Sequence, residues 1–515
     1  MRKLSLFLLL SIMVLAGCLR NTPDVIVITA TFQPDISQLP TLSIASTSVG
    51  AMPTSPPQIN LNTGASNITV GGQYIVQRGD TLSGIAAANG VSLQTLLALN
   101  PLANPDTIEV GQLILLPAAP SETSPNTNLL PDSKLVRGPG SNSFDVSRFI
   151  AEQSGYARMG FDLVNGQILS TSQIVQRVAL EYSIDPRLLI AILEYKAEWL
   201  TRTELSEDAI TYPLGIGASA FGFDRNGLYR QLTWGADQLN YAYYNWKMGN
   251  LSIIEFADGN RVTINPNLNA ATVAVQYLMS RTADYYTWQR QVSENGLMAT
   301  YQRYFGDPYA NAVATLVPPE LTQPELTLPF SRGQTWYYTG GPHGGWGSGS
   351  AWAAVDFAPP DDLSTKTTSC YLSDYFVTAV ADGVIARTDE GTVILDLDND
   401  GDESTGWTIL YLHIASQDRI AQGTQVRAGD RIGRPSCEGG FSNGTHLHIG
   451  RRYNGEWLPA SCQNCPASYQ PPTFVMSNWS VTGIVGQEYQ GYISTSSQQR
   501  VAEQGRGIAP NEVSW

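Results

Sequence analysis

The chain contains four histidines, and all of them fall between positions 343 and 448. Two form the triplet His446-Leu447-His448. In a strand, side chains at i and i+2 share a face, so both imidazoles of that triplet point the same way. His413 ends a second strand-like run, Tyr411-Leu412-His413, and His343 precedes Asp356 in a segment rich in Gly, Ser and Trp. Strands hold imidazoles rigidly, as a metal site requires. The plain alternative is a set of buried histidines without a metal.

The surrounding pattern has period two. Residues 378–386, 392–397, 407–414 and 446–452 are expected strands, separated by Gly and Asp turns. The segments Pro342-His343-Gly344, Val355-Asp356-Phe357-Ala358-Pro359-Pro360, Tyr411-Leu412-His413 and Gly444-Thr445-His446-Leu447-His448 resemble the motifs of lysostaphin-type zinc endopeptidases, over roughly residues 325–460. The resemblance implies an all-β antiparallel domain that cuts peptide bonds of peptidoglycan. It makes His343, Asp356 and His448 the zinc ligands, and His413 and His446 the catalytic residues. Two imidazoles and one carboxylate leave zinc a fourth position for water. One departure stands out. The family places its first His and Asp four positions apart, whereas His343 and Asp356 are thirteen apart. An inserted Gly-Trp-Gly-Ser-Gly-Ser loop accounts for the difference if the two residues converge in space.

Cys370, Cys437, Cys462 and Cys465 lie in the same region. Export permits disulfides, and four cysteines allow three pairings. Cys370–Cys437 with Cys462–Cys465 is the favoured pairing, and a four-thiolate zinc site is the rival.

The N-terminus sets the compartment. Arg2 and Lys3 precede an apolar run that closes on Leu15-Ala16-Gly17-Cys18. The run is short for a membrane span and reads as a signal peptide. Its ending resembles the bacterial lipoprotein box, which implies cleavage before Cys18, lipid on that thiol, and a membrane-anchored location at the cell surface or in the periplasm. Residues 1–18 are the signal peptide, and 19–72 form a Ser/Thr/Pro-rich stalk.

At 515 residues the chain is too long for one ordinary core, and three domains are expected. Residues 73–118 read strand–helix–helix–strand. Their tokens Tyr-x-Val-x-x-Gly-Asp-Thr-Leu, Leu-Leu-Ala-Leu-Asn-Pro and Gly-Gln-x-Ile-x-Leu-Pro resemble the LysM domain. That resemblance implies an α+β fold that binds N-acetylglucosamine-containing glycan through Gly79, Asp80, Thr81, Leu82, Asn100 and Ile108. Turn and cap chemistry alone is the competing account of Gly79 and Asp80.

A linker at 119–143 leads into a mainly helical domain, 144–316, with helical periodicity over 173–182, 186–200, 234–246 and 269–285. Residues 182–193 resemble the helix that leads to the catalytic Glu of lysozyme-like lytic transglycosylases. Here the Glu position falls on Lys196 and the following Ser on Ala197. A lysine does not serve as the general acid of that reaction, so the domain reads as degenerate: a glycan binder or a spacer. A linker, 317–327, separates it from the peptidase-like domain, 328–466. The extension 467–515 is polar, poorly periodic and assigned no function.

Asp396, Asp398, Asp400 and Asp402 alternate up to a Gly turn and resemble the start of an EF-hand loop, which implies a structural calcium ion. Trp407 occupies the place of the final bidentate Glu, and a solvated hairpin is the rival reading. The net charge of −15 argues against nucleic acid as a partner. The expected partner is peptidoglycan, its peptide stems and its glycan. The alternative to an enzyme is a non-catalytic scaffold or activator that binds the same polymer.

Overall fold

The structure, a computed structural model, describes residues 70–102, 104, 107–119, 121–217, 224–505 and 509–515. The signal-like segment, Cys18 and all but the last three residues of the expected stalk lie outside the described residues.

The first domain is a β-α-α-β unit. Strands Val70–Ile75 and Leu113–Pro117 pair antiparallel, with helices Leu82–Ala88 and Leu93–Leu99 between them. Each helix starts where a hydroxyl satisfies an open amide: Thr81 accepts from Gly84 and Ser92 from Thr95. Val76, Leu82, Ile85, Leu96 and Ile114 form its small core.

The middle domain is helical. Thr171–Tyr182 begins at a capping box of Ser170 and Gln173, and Pro186–Ala197 begins with proline at its first position behind an Asp185 cap. Leu228–Lys247 is the longest helix and packs along Ala270–Ser280. The expected linker at 119–143 is largely built into this body. Its Leu129, Leu130, Leu135 and Val136 are buried in the helical core, although polar neighbours hide them in the sequence.

The C-terminal domain centres on a nine-stranded antiparallel sheet. Eight strands run edge to edge in the order Gln425–Val426, Gly383–Asp389, Thr392–Asp396, Trp407–Leu412, Leu447–Tyr453, Ala354–Ala358, Thr335–His343 and Glu512–Ser514. Glu456–Trp457 folds back onto Leu447–Tyr453. Alternation within single strands divides the sheet between two cores. Ile409, Tyr411, Val393 and Leu395 join the domain's own core, with Phe330, Trp336 and Phe357. Leu410, Leu412 and Ile394 join the core of the helical domain instead. A buried leucine contributes about 2 kcal/mol, so this shared face welds the two domains together.

Two sequence expectations change here. Residues 378–386 are not one strand: Val377–Thr378 pairs with Arg431–Gly433, and the chain then turns so that Gly383–Asp389 enters the main sheet. The Tyr411 hydroxyl accepts the Val380 amide at that corner. The extension 467–515 also belongs to the body of the domain. It forms the four-stranded sheet Val475–Met476, Trp479–Ile484, Gln487–Ser494 and Gln499–Val501, and it supplies the edge strand Glu512–Ser514. Phe474, Met476, Trp479, Val481, Ile493 and Val513 are core residues there. They are spaced among polar residues because only one face of these strands is covered.

Candidate metal centre and its groove

Strand register assembles the centre. His448 stands directly opposite Asp356 on one side and Leu412 on the other, and His413 is the next residue along. Thr335–His343 pairs on the far side of Asp356, with Gly340 opposite Asp356 and His343 opposite Ala354. The register shifts on either side of Gly340, which brings His343 level with the site. A side chain at Gly340 would collide with the Asp356 carboxylate. The thirteen-residue spacing therefore closes through a loop between adjacent strands, and both residues reach one point. His413 differs from expectation in one respect: the strand ends at Leu412, and His413 itself sits at φ 66°. Such a conformation is costly for a non-glycine residue and marks a position held by its surroundings. The Ser436 amide and hydroxyl both donate to the His413 carbonyl.

The His343 Nε2 atom is 2.9 Å from His448 Nδ1, and each lies 3.3 Å from Asp356 Oδ1. His446 Nε2 is 3.7 Å from the same oxygen. The His413 and His446 rings are neighbours, with centroids 4.6 Å apart. Each imidazole spends its other nitrogen on a backbone carbonyl: His343 on Gly341, His448 on Gly345, His446 on Gly444 and His413 on Glu438. A carbonyl only accepts, so each of those nitrogens carries the proton and donates. In a neutral ring the opposite nitrogen holds a lone pair, so His343 Nε2 and His448 Nδ1 turn their ligand-capable side toward Asp356.

Asp356 Oδ1 is buried and accepts no well-aligned hydrogen bond. A buried carboxylate oxygen faced by two imidazole nitrogens calls for positive charge at that point, a ring proton or a metal ion. The ligand atoms of His343, Asp356 and His448 all lie within 4.8 Å of one another. The donor set fits zinc with an open position.

Electrostatics follow from this crowding. Burial opposes the Asp356 charge, yet positive charge on the adjacent His343 and His446 rings more than offsets it and holds the carboxyl well below its usual range. Burial also opposes a charge on His343, but the adjacent Asp356 raises its pKa overall. His448 is lowered, chiefly by burial. His413 is pushed down to about 3 by burial and by its histidine neighbours, so it is neutral at any physiological pH.

Comparison with known families places these residues in context. Residues 74–117 match the LysM domain, 128–319 the LasA N-terminal domain, and 371–459 peptidase family M23. The chain contains a peptidase family M23 domain. It is 26% identical over 349 residues to protease LasA of Pseudomonas aeruginosa, a match covering 64% of this chain and 74% of that one. N-acetylmuramoyl-L-alanine amidase XlyB of Bacillus subtilis is 49% identical over 49 residues, 10% of this chain and 16% of that one. Among solved structures, the M23 metalloprotease pseudoalterin is 24% identical, covering 35% of this chain and 96% of that one, with a TM-score of 0.27. The family match over the helical region, 128–319, is to the LasA N-terminal domain, whereas the local motif at 182–193 suggests a degenerate lysozyme-like fold. The M23 match includes His413, His446 and His448. His343 and Asp356 lie before it and join through the sheet register.

The M23 domain does not line its groove alone. A groove of about 1120 Å³ runs past the histidines. One wall is the loop 440–444, where Phe441 is 93% exposed. Another comes from the helical domain through Arg177, Glu181, Tyr182 and Tyr229. A third comes from the C-terminal extension. Tyr489 stacks on His343 with ring centroids 4.3 Å apart, and Glu488 accepts the Gly344 amide. The sequence offered no period or motif for Tyr489. Its φ of 65°, where the strand Gln487–Ser494 bulges against its neighbour, is visible only in the structure.

The remaining expected sites fare unevenly. The LysM residues Leu82 and Asn100 are occupied by the fold: Leu82 is core, and the Asn100 amide bonds Leu96 and both backbone groups of Leu115. Asp80 accepts from the Gln77 amide and the Tyr74 hydroxyl, a turn-fixing role. Gly79 and Thr81 are exposed, and Ile108 is half-buried. Cys370–Cys437 and Cys462–Cys465 are disulfides, which leaves no thiolates for the rival zinc site. The calcium expectation gains no support. Asp396, Asp398, Asp400 and Asp402 each accept amides from residues further along the loop, which is the chemistry of a tight hairpin. In the helical domain, Lys196 is largely buried and donates to Thr282, while Glu194 is buried and accepts from Leu200 and Thr201.

Proposed function

We propose that this protein is a cell-wall hydrolase that cuts peptide bonds of peptidoglycan, with zinc held by His343, Asp356 and His448. The carrying observation is the orphaned Asp356 Oδ1, buried and faced by the ring nitrogens of His343 and His448. Zinc in such a site lowers the pKa of water and polarises a carbonyl. The chain's own residues supply the rest. His446, oriented by Gly444, keeps Nε2 free beside Asp356 to take a proton from the attacking water. The proton so gained by His446 is the one the leaving amine takes up, and His413, held neutral and facing His446, is placed to accept a hydrogen bond from the reacting water or from that imidazolium. The half-open groove suits an extended, cross-linked peptide.

The LysM domain supports wall targeting through glycan, with exposed Gly79 and Thr81 and half-buried Ile108 as its contact residues. The lipobox-like Cys18 supports anchoring at the outer face of a membrane. Product analysis of digested peptidoglycan tests the reading. New free amino groups on stem or bridge peptides are expected. Intact peptides with anhydro-sugar ends would refute it in favour of glycan cleavage.

A further inference from the structure

The loop that makes the His343–Asp356 spacing unusual is anchored on the helical domain. Asp237, midway along the helix Leu228–Lys247, accepts the Gly349 amide at 2.7 Å and the Ser348 hydroxyl at 2.8 Å. The approach leaves no room for side chains. A Cβ on Gly349 would strike the Asp237 and Tyr241 backbones, and one on Gly347 would meet Asp237 Oδ1 at 2.6 Å. Gly347 also sits at φ 67°, open to glycine. Within the loop, buried Ser350 bonds back to both backbone groups of Trp346.

The other end of this loop holds the metal centre. It starts at His343, and its Gly345 carbonyl accepts from His448 Nε2 at 3.1 Å. That bond directs His448 Nδ1 toward Asp356. Gly345 lies flat on the Trp457 ring, where a Cβ would come within 2.5 Å. The Trp457 amide in turn donates to the Tyr244 hydroxyl, on the same helix as Asp237. One helix of another domain thus holds the loop directly at Ser348 and Gly349 and, by way of Trp457, indirectly at Gly345.

We propose that Asp237 is a positioning residue for the metal centre: through Ser348 and Gly349 it fixes the loop whose Gly345 carbonyl orients His448. The helical domain is on this account a working part of the peptidase site. The proposal rests on the zinc-peptidase reading above. Outer-sphere partners of metal-bound histidines typically govern about 10–100-fold in metal affinity, and Asp237 acts one step further out.

Zinc affinity of the full-length protein, measured by chelator competition, tests it alongside kcat and KM. Asp237→Ala is expected to weaken zinc about tenfold and to lower kcat more than KM rises. Asp237→Asn is expected to restore both values, because an amide oxygen accepts the Gly349 amide and the rotatable Ser348 hydroxyl accepts from its nitrogen. Ser348→Ala removes one bond from the exposed side and leaves the helix untouched. It is expected to weaken zinc severalfold, and it decides the matter if Asp237→Ala does not fold. Wild-type zinc affinity in Ser348→Ala and in folded Asp237→Ala would overturn the proposal. Equal losses in Asp237→Asn and Asp237→Ala would also overturn it. A wild-type protein that binds no zinc would instead refute the zinc reading on which the proposal stands.

Discussion

His343 Nε2 and His448 Nδ1 lie 2.9 Å apart although they are 105 positions apart in the chain. Two imidazole nitrogens this close beside one buried carboxylate make a preformed ligand cluster that a metal ion would occupy in place of a shared proton. Replacing His448 with Ala should abolish zinc binding while the sheet, whose register rests on backbone pairing, persists. Circular dichroism and zinc stoichiometry check both halves of that expectation.

The two remaining histidines are expected to act on rate and leave zinc in place. His446→Ala should cost about 10²–10⁴-fold in kcat, the usual range for a general base. His413→Ala should cost about 10²–10⁴-fold as well, the range for loss of a group that orients the reacting proton. Zinc content in both variants should match wild type.

Tyr489 tests the role of the C-terminal extension. Its ring covers His343, and Tyr489→Phe keeps that stack whereas Tyr489→Ala removes it. The Phe variant should retain near-normal zinc affinity, and the Ala variant should lose severalfold. Chelator competition distinguishes them.

A buried charge cluster predicts acid sensitivity. Glu403 pairs with Arg387 and Arg452, and Arg137 of the helical region lies 3.7 Å away. Burial opposes its charge, but Arg387 and its two companions hold its pKa far below the ordinary value. The native state therefore holds the ionised form more firmly than the unfolded chain does. This stabilisation is complete above the unfolded pKa of about 4.3 and drains away as pH falls from there toward the depressed folded value. Glu403→Gln should cost about 3–5 kcal/mol at neutral pH by stranding buried arginines. It should also flatten the acid limb of stability against pH in urea titrations.

Lys196 predicts the opposite limb. Burial pushes its pKa down to about 8. Between that value and the unfolded value of about 10.4, the unfolded chain binds a proton that the native state does not, so stability rises with pH across this window. Lys196→Met should be more stable than wild type at pH 7 and should lack the alkaline rise.

Much of the centre was legible in the sequence because strand periodicity is local. His446 and His448 share a face by alternation alone, and the cap residues Thr81, Ser92 and Asp185 announce their helices. What escaped was whatever depends on distant packing. Leu410 and Leu412 alternate with Ile409 and Tyr411, but nothing local says that the second face is covered by helices. Leu129 and Leu130 sit among polar residues and read as linker until the helical core closes over them. Asn100 resembles a sugar contact by motif, whereas its amide is spent on the closing strand. Tyr489 reaches His343 from a strand bulge at positive φ, which carries no sequence period.

The central claim is tested most directly by mass spectrometry of purified peptidoglycan after digestion with the zinc-loaded full-length protein and with its His448→Ala variant. The account predicts peptide-bond cleavage products from the wild type and none from the variant. Equal peptide cleavage by the variant, or glycan cleavage alone from the wild type, would contradict it.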